Sequence, residues 1–293
     1  MASMLRAANP IAWAAGAFAA ALLVTSWSPW VGAQQAKTGT QSLQGEAGAI
    51  YVDDGGGTEG LPVLFLHSFG GDSSHWSSQL AHLRHERRAL AIDLRSHGKS
   101  AHPRNNDLRV EAFARDVKTV IDQLKLDRVV LVGHSLGAAV AADFAARYPT
   151  KVAGLVLVGA PGKTPREQAR KTLAAIEADY EATMQGYWEK LVQGSQSHVR
   201  RIVLDQMNSV PKKESIAIIR ALFAHDTLRD FDRFAGPKLL VYTDAQEAPQ
   251  DLHRLRPKVP SVRIEGTGHW PHLDKPKEFN NVLEAFLGKV ANP

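Results

Sequence analysis

Two periodicities alternate along this chain, and that alternation constrains its fold more than any other feature. Residues 61–66, 89–92 and 129–132 form continuous apolar runs, without the polar interruption on alternate positions that marks a strand with one wet face. Residues 76–83 and 110–124 instead repeat apolar side chains every three to four positions, as a helix with one buried stripe does. The pattern continues with a helix at 136–147, strands at 153–158, 238–242 and 261–264, and a helix at 279–286. A short strand at 49–52, closed by the turn Asp54-Gly55-Gly56-Gly57, precedes them. Strands buried on both faces and separated by helices imply parallel neighbours, because a parallel pair needs a crossover long enough to hold a helix. The expected class is α/β, a mostly parallel sheet flanked by helices.

From 161 to 236 the strand signal disappears and the chain reads as several helices rich in Ala, Glu, Gln, Arg and Leu. This is expected to be a helical insertion dividing a core of 49–160 and 237–293. Its Tyr180, Met184, Tyr187, Trp188, Met207 and Phe223 are candidates either to line a ligand pocket or simply to pack the insertion on the core. At the N-terminus, Arg6 precedes an apolar stretch and then Val31-Gly32-Ala33, the order of a secretory signal peptide cleaved after 33. An uncleaved anchor is the rival reading, and both imply export to the periplasm or the medium. Residues 34–48 read as a polar linker.

With 0 cysteines, the chain has no disulfide, thiolate nucleophile or cysteine metal site to draw on. The net charge of +5 comes from 35 basic and 30 acidic residues that are interspersed, which describes a mixed solvated surface. No stacking aromatics interleave its basic clusters, so nucleic acid is set aside.

The chemistry concentrates in Gly133-His134-Ser135-Leu136-Gly137, which joins the run 129–132 directly to a helix. A chain turning this sharply from strand into helix strains the central residue and needs small neighbours two positions either side; Gly133 and Gly137 supply them. The turn projects the Ser135 hydroxyl beside the free amides of a helix N-terminus. Serine needs a base to become nucleophilic. His269 qualifies: it leaves the last predicted strand through a glycine loop, Glu265-Gly266-Thr267-Gly268, that can return an imidazole over the turn. His67-Ser68-Phe69-Gly70-Gly71 follows the run 61–66, and its Phe69 amide, with that of Leu136, is expected to donate to a developing oxyanion. Trp188, Trp270, Tyr187 and Met184 are the expected substrate-contacting side chains.

Over 49–290 the chain resembles the α/β-hydrolase superfamily, in its single-cap, esterase-like branch. Four motifs carry the resemblance in order: the loop His67–Gly71, the turn Asp93-Leu94-Arg95-Ser96-His97-Gly98-Lys99-Ser100, the Ser135 elbow and the Gly268-His269 loop. It implies an acyl-transfer triad, an oxyanion hole, and a cap formed by 161–236. Two positions depart from the family pattern. Ser68 stands where glycine is usual, and the place of the triad acid, three residues past Thr243, holds Gln246. Asp244 and Glu247 flank that place and are the alternatives for the acid, Asp244 being preferred for its shorter side chain.

These residues imply a serine hydrolase acting on an ester, lactone or related acyl bond of a partly apolar small molecule. No cofactor, metal, nucleic acid or lasting membrane anchor is called for. Carbon–carbon bond hydrolysis and perhydrolysis use the same groups, whereas dehalogenase and epoxide hydrolase chemistry in this fold uses an aspartate at position 135. The weak acid position also admits a slow or non-catalytic binding or sensor protein.

Overall fold

Residues 39–245 and 248–291 are described by a computed structural model of the chain, all of them in the second of its two units, 35–293. Eight strands form one sheet: β1 (Gly39–Gln44), β2 (Ala49–Gly56), β3 (Val63–Leu66), β4 (Arg88–Ile92), β5 (Val129–His134), β6 (Val152–Val158), β7 (Lys238–Tyr242) and β8 (Ser261–Arg263). Their order is β1-β2-β4-β3-β5-β6-β7-β8, antiparallel at β1/β2 and β2/β4 and parallel from there on. Eleven helices accompany the described strands: α1 (Ser77–Leu83), α2 (Val110–Gln123), α3 (Leu136–Arg147), α4 (Arg166–Ala178), α5 (Tyr180–Leu191), α6 (Ser197–Gln206), α7 (Lys212–Ala224), α8 (Thr227–Arg233), α9 (Leu252–Leu255), α10 (Pro271–Asp274) and α11 (Pro276–Ala291).

The two-sided burial read from the apolar runs is resolved by the period of two. Val63 and Phe65 of β3, with Val130 and Val132 of β5, pack beneath Trp76, Leu80 and Leu83 and against Phe279 and Leu283 of α11. Leu64, Leu66, Val129 and Leu131 point the other way, onto Phe113 and Val117 of α2 and Leu136 and Val140 of α3. Truncating a side chain at the middle of such a layer, Phe65→Ala for example, removes about 3–5 kcal/mol.

Three expectations are corrected. Residues 39–44, read as linker, form β1; it is exposed and polar except for Leu43, which is half-buried against the core, so no apolar alternation marks it. The strand read at 49–52 runs on to Gly56, where a turn was expected. There the missing side chains admit the neighbouring chain: a Cβ on Gly56 would fall 2.3 Å from the Arg87 carbonyl oxygen. The helical insertion ends earlier than 236, because α8 packs on α3 of the core, with Phe231 fully buried there. The cap therefore comprises helices α4 to α7. The expected leader at 1–33 lies outside the described residues.

Candidate active site

Ser135 takes φ +52° and ψ −109°, a conformation that costs a side-chain-bearing residue about 1–3 kcal/mol and persists only where its surroundings enforce it. The enforcement is visible. The Ser135 amide donates to the Val158 carbonyl of β6 at 2.9 Å, while its own carbonyl accepts from Ala138 and Ala139 of α3. A Cβ at Gly133 would lie 2.2 Å from the Gly137 oxygen, and one at Gly137 would lie 2.4 Å from that of Leu66. Both small residues are therefore required, and Gly137 seats the N-terminus of α3 directly on the end of β3. Serine at a helix N-cap ordinarily spends its hydroxyl on the amide of the second or third helical residue. Ser135 makes no such bond and is left half-buried with its hydroxyl uncommitted.

The loop after β3 is braced from below. His67 accepts from the Leu94 amide at Nε2 (2.9 Å), so its proton sits on Nδ1, which donates to the Ser68 carbonyl (2.7 Å). Burial keeps this ring neutral, its pKa lowered to about 4. The turn 93–100 is thus a support for the loop. Asp93 accepts the Ser73 and Lys99 amides at 2.7 Å each, and Arg95 grips Asp116 of α2 with two bonds of 2.7 Å. Neither the Phe69 nor the Leu136 amide donates to another group among the described residues. For Leu136, the first residue of α3, the geometry of a helix makes that inevitable. The unusual Ser68 has a partner too: its hydroxyl accepts from the Trp270 indole at 3.3 Å.

The His269 loop packs against His134, the residue before Ser135, and no hydrogen bond joins the His269 ring to the Ser135 hydroxyl among the described residues. The His269 ring lies 4.7 Å from that of His134, and the His269 carbonyl oxygen accepts from His134 Nε2 at 2.8 Å. His269 is 7% exposed, and neither ring nitrogen has a hydrogen-bond partner among the described residues. Burial alone lowers its pKa to about 4. Asp244 does not reach it. That carboxylate, 42% exposed, binds Arg263 Nε at 2.7 Å and the Gly266 amide at 3.0 Å, first the amide and then the guanidinium holding it below the ordinary carboxylate range. Asp244, preferred for its shorter side chain, thus ties the base of the histidine loop and does not meet the ring. Glu247 lies outside the described residues.

Over these groups lies α5. Trp188 stacks on Phe69 (5.7 Å) and on Trp270 (6.1 Å), and Trp270 meets the His269 ring edge-on at 5.2 Å. Three aromatic residues expected at the site are therefore one apolar wall. Met184 is buried in the cap's packing, and Tyr187, 43% exposed, meets Trp188 edge-on at 5.5 Å. Helical spacing alone could not separate Tyr187 from its neighbour. Missed by the sequence reading were His134 as a support and Asp274, which accepts the Gly268 amide at 3.0 Å. Proline at the start of α10 was a usable local signal for Asp274, but its partners are not local.

One other group of ligand-type donors converges among the described residues: Glu111, Asp143 and His225, within 4.8 Å of one another. Arg147 donates to Asp143 at 2.7 Å and faces Glu111 at 3.9 Å, and Arg229 holds Asp230 beside His225. The protein's own guanidinium groups balance these carboxylates.

A strained serine between a buried strand and a helix, with a buried imidazole packed on the residue before it, suggests comparison with enzymes. The model of the alpha/beta hydrolase family matches residues 63–282. The chain belongs to the alpha/beta hydrolase family. Among curated relatives it is 30% identical to the sn-1-specific diacylglycerol lipase ABHD11 of Mus musculus, over 77% of this chain and 80% of that protein. Two solved structures share its fold at 24% identity: Est816, described as an N-acyl homoserine lactone degrading enzyme (TM-score 0.74, covering 84% of this chain and all of that one), and a thermophilic esterase from Thermogutta terrifontis (TM-score 0.72, 87% and 100%). The protein is thus an enzyme of the hydrolase type, and its sheet and flanking helices are those of the family.

Proposed function

We propose that the protein is a serine hydrolase that opens a carboxylic ester, lactone or related acyl bond through an acyl-enzyme on Ser135. Carrying the reading is the elbow itself: a serine held at φ +52°, its hydroxyl unused by the helix it caps, next in sequence to His134, whose ring lies 4.7 Å from the buried His269 imidazole, a ring with no hydrogen-bond partner among the described residues. In the first half-reaction Ser135 Oγ attacks the acyl carbon as its proton passes to His269, which then protonates the leaving oxygen. Water, deprotonated by the same imidazole, releases the acyl group and restores the serine. The Phe69 and Leu136 amides receive the negative oxygen; each such donor is worth about 10²–10³ in rate. The wall of Phe69, Trp188 and Trp270 favours a partly apolar acyl or alcohol part. The lactone and lipid ester named for two relatives accord with this class. Residues 1–33, with their charged, apolar and small-residue order, support action in the periplasm or outside the cell.

A second reading, a slow or non-catalytic binder on the same fold, is favoured by one observation: no carboxylate meets His269 among the described residues. Losing the acid weakens a triad without abolishing it, so catalysis by Ser135 and His269 alone remains the stronger reading. Purified wild type and Ser135→Ala are to be compared on short and medium p-nitrophenyl esters and with a fluorophosphonate probe. Ester hydrolysis absent from the variant, with a covalent adduct on Ser135 in the wild type, is the expected result. Equal rates and no adduct would eliminate the hydrolase reading in favour of the binder.

A further inference from the structure

Asp274 closes α10, five residues beyond His269, and is 3% exposed. Its carboxylate serves two segments. On Oδ2 it accepts the Gly268 amide at 3.0 Å and the Ser195 hydroxyl at 3.1 Å; on Oδ1 it accepts the Gln196 amide at 2.8 Å. Its main-chain oxygen takes the Gln196 side-chain amide at 2.5 Å. Ser195 and Gln196 form the turn between α5 and α6 of the cap, and Gly268 is the residue before His269. The loop and cap are joined again next door, where the His269 amide donates to the Leu191 carbonyl of α5 at 3.0 Å. There is no slack in the joint: a Cβ on Gly268 would fall 2.0 Å from Ser195 Oγ.

We propose that Asp274 is a positioning residue that holds the His269 loop and the α5–α6 turn of the cap in one register, so that the cap cannot lift at this turn without releasing the base. The proposal rests on the reading of His269 as the general base. A carboxylate suits the joint because all its partners are donors: it offers lone pairs on both oxygens and presents no hydrogen. An amide of the same shape must turn its NH₂ toward either the Gly268 or the Gln196 N–H, so one arm of the joint opens. Burial raises the Asp274 carboxyl above its ordinary range, and the Gln196, Gly268 and Ser195 donors act against that rise. On its other flank the cap is fastened separately, by Gln206 to His75 and Asp72 and by Ser209 to the Gly70 carbonyl. Loss of the Asp274 joint therefore frees one corner and leaves the cap attached.

The test uses the full chain with Asp274→Asn, Asp274→Ala and Asp274→Glu. Amide hydrogen exchange is followed at Gly268, Gln196 and, as an internal reference, β5. Alongside it, kcat and KM are measured on a p-nitrophenyl ester, and Ser135 labelling by a fluorophosphonate. In Asp274→Ala, exchange at Gly268 and Gln196 is expected to rise together by tenfold or more with β5 unchanged. kcat falls at least tenfold, KM stays within threefold, and Asp274→Glu recovers most of both. Asp274→Asn frees at least one of the two amides, with a comparable loss in kcat, and decides the matter if the alanine variant does not fold. Unchanged protection in these variants, or unchanged kcat with both amides exposed, overturns the proposal. A wild type that takes up no label removes the hydrolase reading instead, and the paired exchange at Gly268 and Gln196 then decides the linkage alone.

Discussion

His134 Nε2 donates to the main-chain carbonyl of His269 across 2.8 Å, so the residue before the serine supports the His269 loop. The two are 135 apart in sequence. Burial and the neighbouring histidines hold His134 neutral, well below the usual imidazole range, and a neutral ring bonded through Nε2 keeps its proton there. His134→Leu leaves a buried carbonyl unpaired, which costs about 1–3 kcal/mol. Its kcat is expected to fall roughly tenfold with little change in KM, whereas His134→Gln, which still donates, retains most of the rate. Steady-state kinetics on one ester checks both; equal losses in the two variants would show that the hydrogen bond is not what matters.

The strain at Ser135 gives a stability signature opposite to its effect on activity. Ser135→Ala and Ser135→Gly both remove the hydroxyl, but only glycine relaxes at φ +52°. The glycine variant is expected to be about 1 kcal/mol more stable than the alanine variant, some 2–4 °C in Tm for a chain of this size. Thermal unfolding followed by circular dichroism reads the difference, and an alanine variant as stable as the glycine one contradicts the strain.

Asp244 holds Arg263 and the Gly266 amide, at the foot of the histidine loop. Asp244→Asn is therefore expected to leave kcat/KM within about twofold and to cost less than about 1 kcal/mol, as exposed ion pairs do. A thousandfold drop in kcat/KM would instead identify it as the triad acid.

Histidines crowd this site, and all are disfavoured as cations. Burial lowers His67 and His269 to about 4 and His97 to about 3, and His75, His134 and His272 shift the same way. Because the folded pKa lies below the unfolded value near 6.5, the unfolded chain binds more protons in this interval. Stability is thus complete above pH 6.5 and is lost as pH falls toward 4. His67 and His269 each contribute about 3 kcal/mol to that loss by pH 4, at about 1.4 kcal/mol per unit. Urea midpoints are expected to fall steeply between pH 6 and 4.5, while kcat/KM shows no inflection near 6.5. A midpoint that stays level to pH 4.5, or an activity limb at 6.5, runs against the buried neutral rings.

The sheet and its elbow were legible because their determinants are local. A strand buried on both faces announces itself by its own residues, and Gly133 and Gly137 stand where the Ser135 turn has no room for a side chain. β1 was not legible, since one half-buried apolar residue, Leu43, among exposed polar ones makes no apolar pattern. Nor was the core membership of α8, because helical period does not say which layer the buried stripe meets. At the site, the strained turn at Ser135 and the glycine loop before His269 could be read from the segments that carry them. The acid could not, because the counted position holds Gln246 and the neighbouring Asp244 spends its carboxylate on Arg263 and the Gly266 amide. Asp274 was out of reach for another reason: its partners Ser195 and Gln196 are 79 and 78 residues away.

The polar strand β1 decides what the sheet presents at its β2 end. A parallel sheet ends in rows of unpaired amides and carbonyls, a template on which a second molecule can add a strand. β1 occupies that row on β2 from Gly39↔Asp54 to Gln44↔Ala49 and presents in its place Thr40, Gln41, Ser42 and Gln44, side chains that prefer water to a neighbour. At the far end β8 is three residues long, too short to seed much. The six residues that looked like a spacer thus set the chemical character of the sheet's edge.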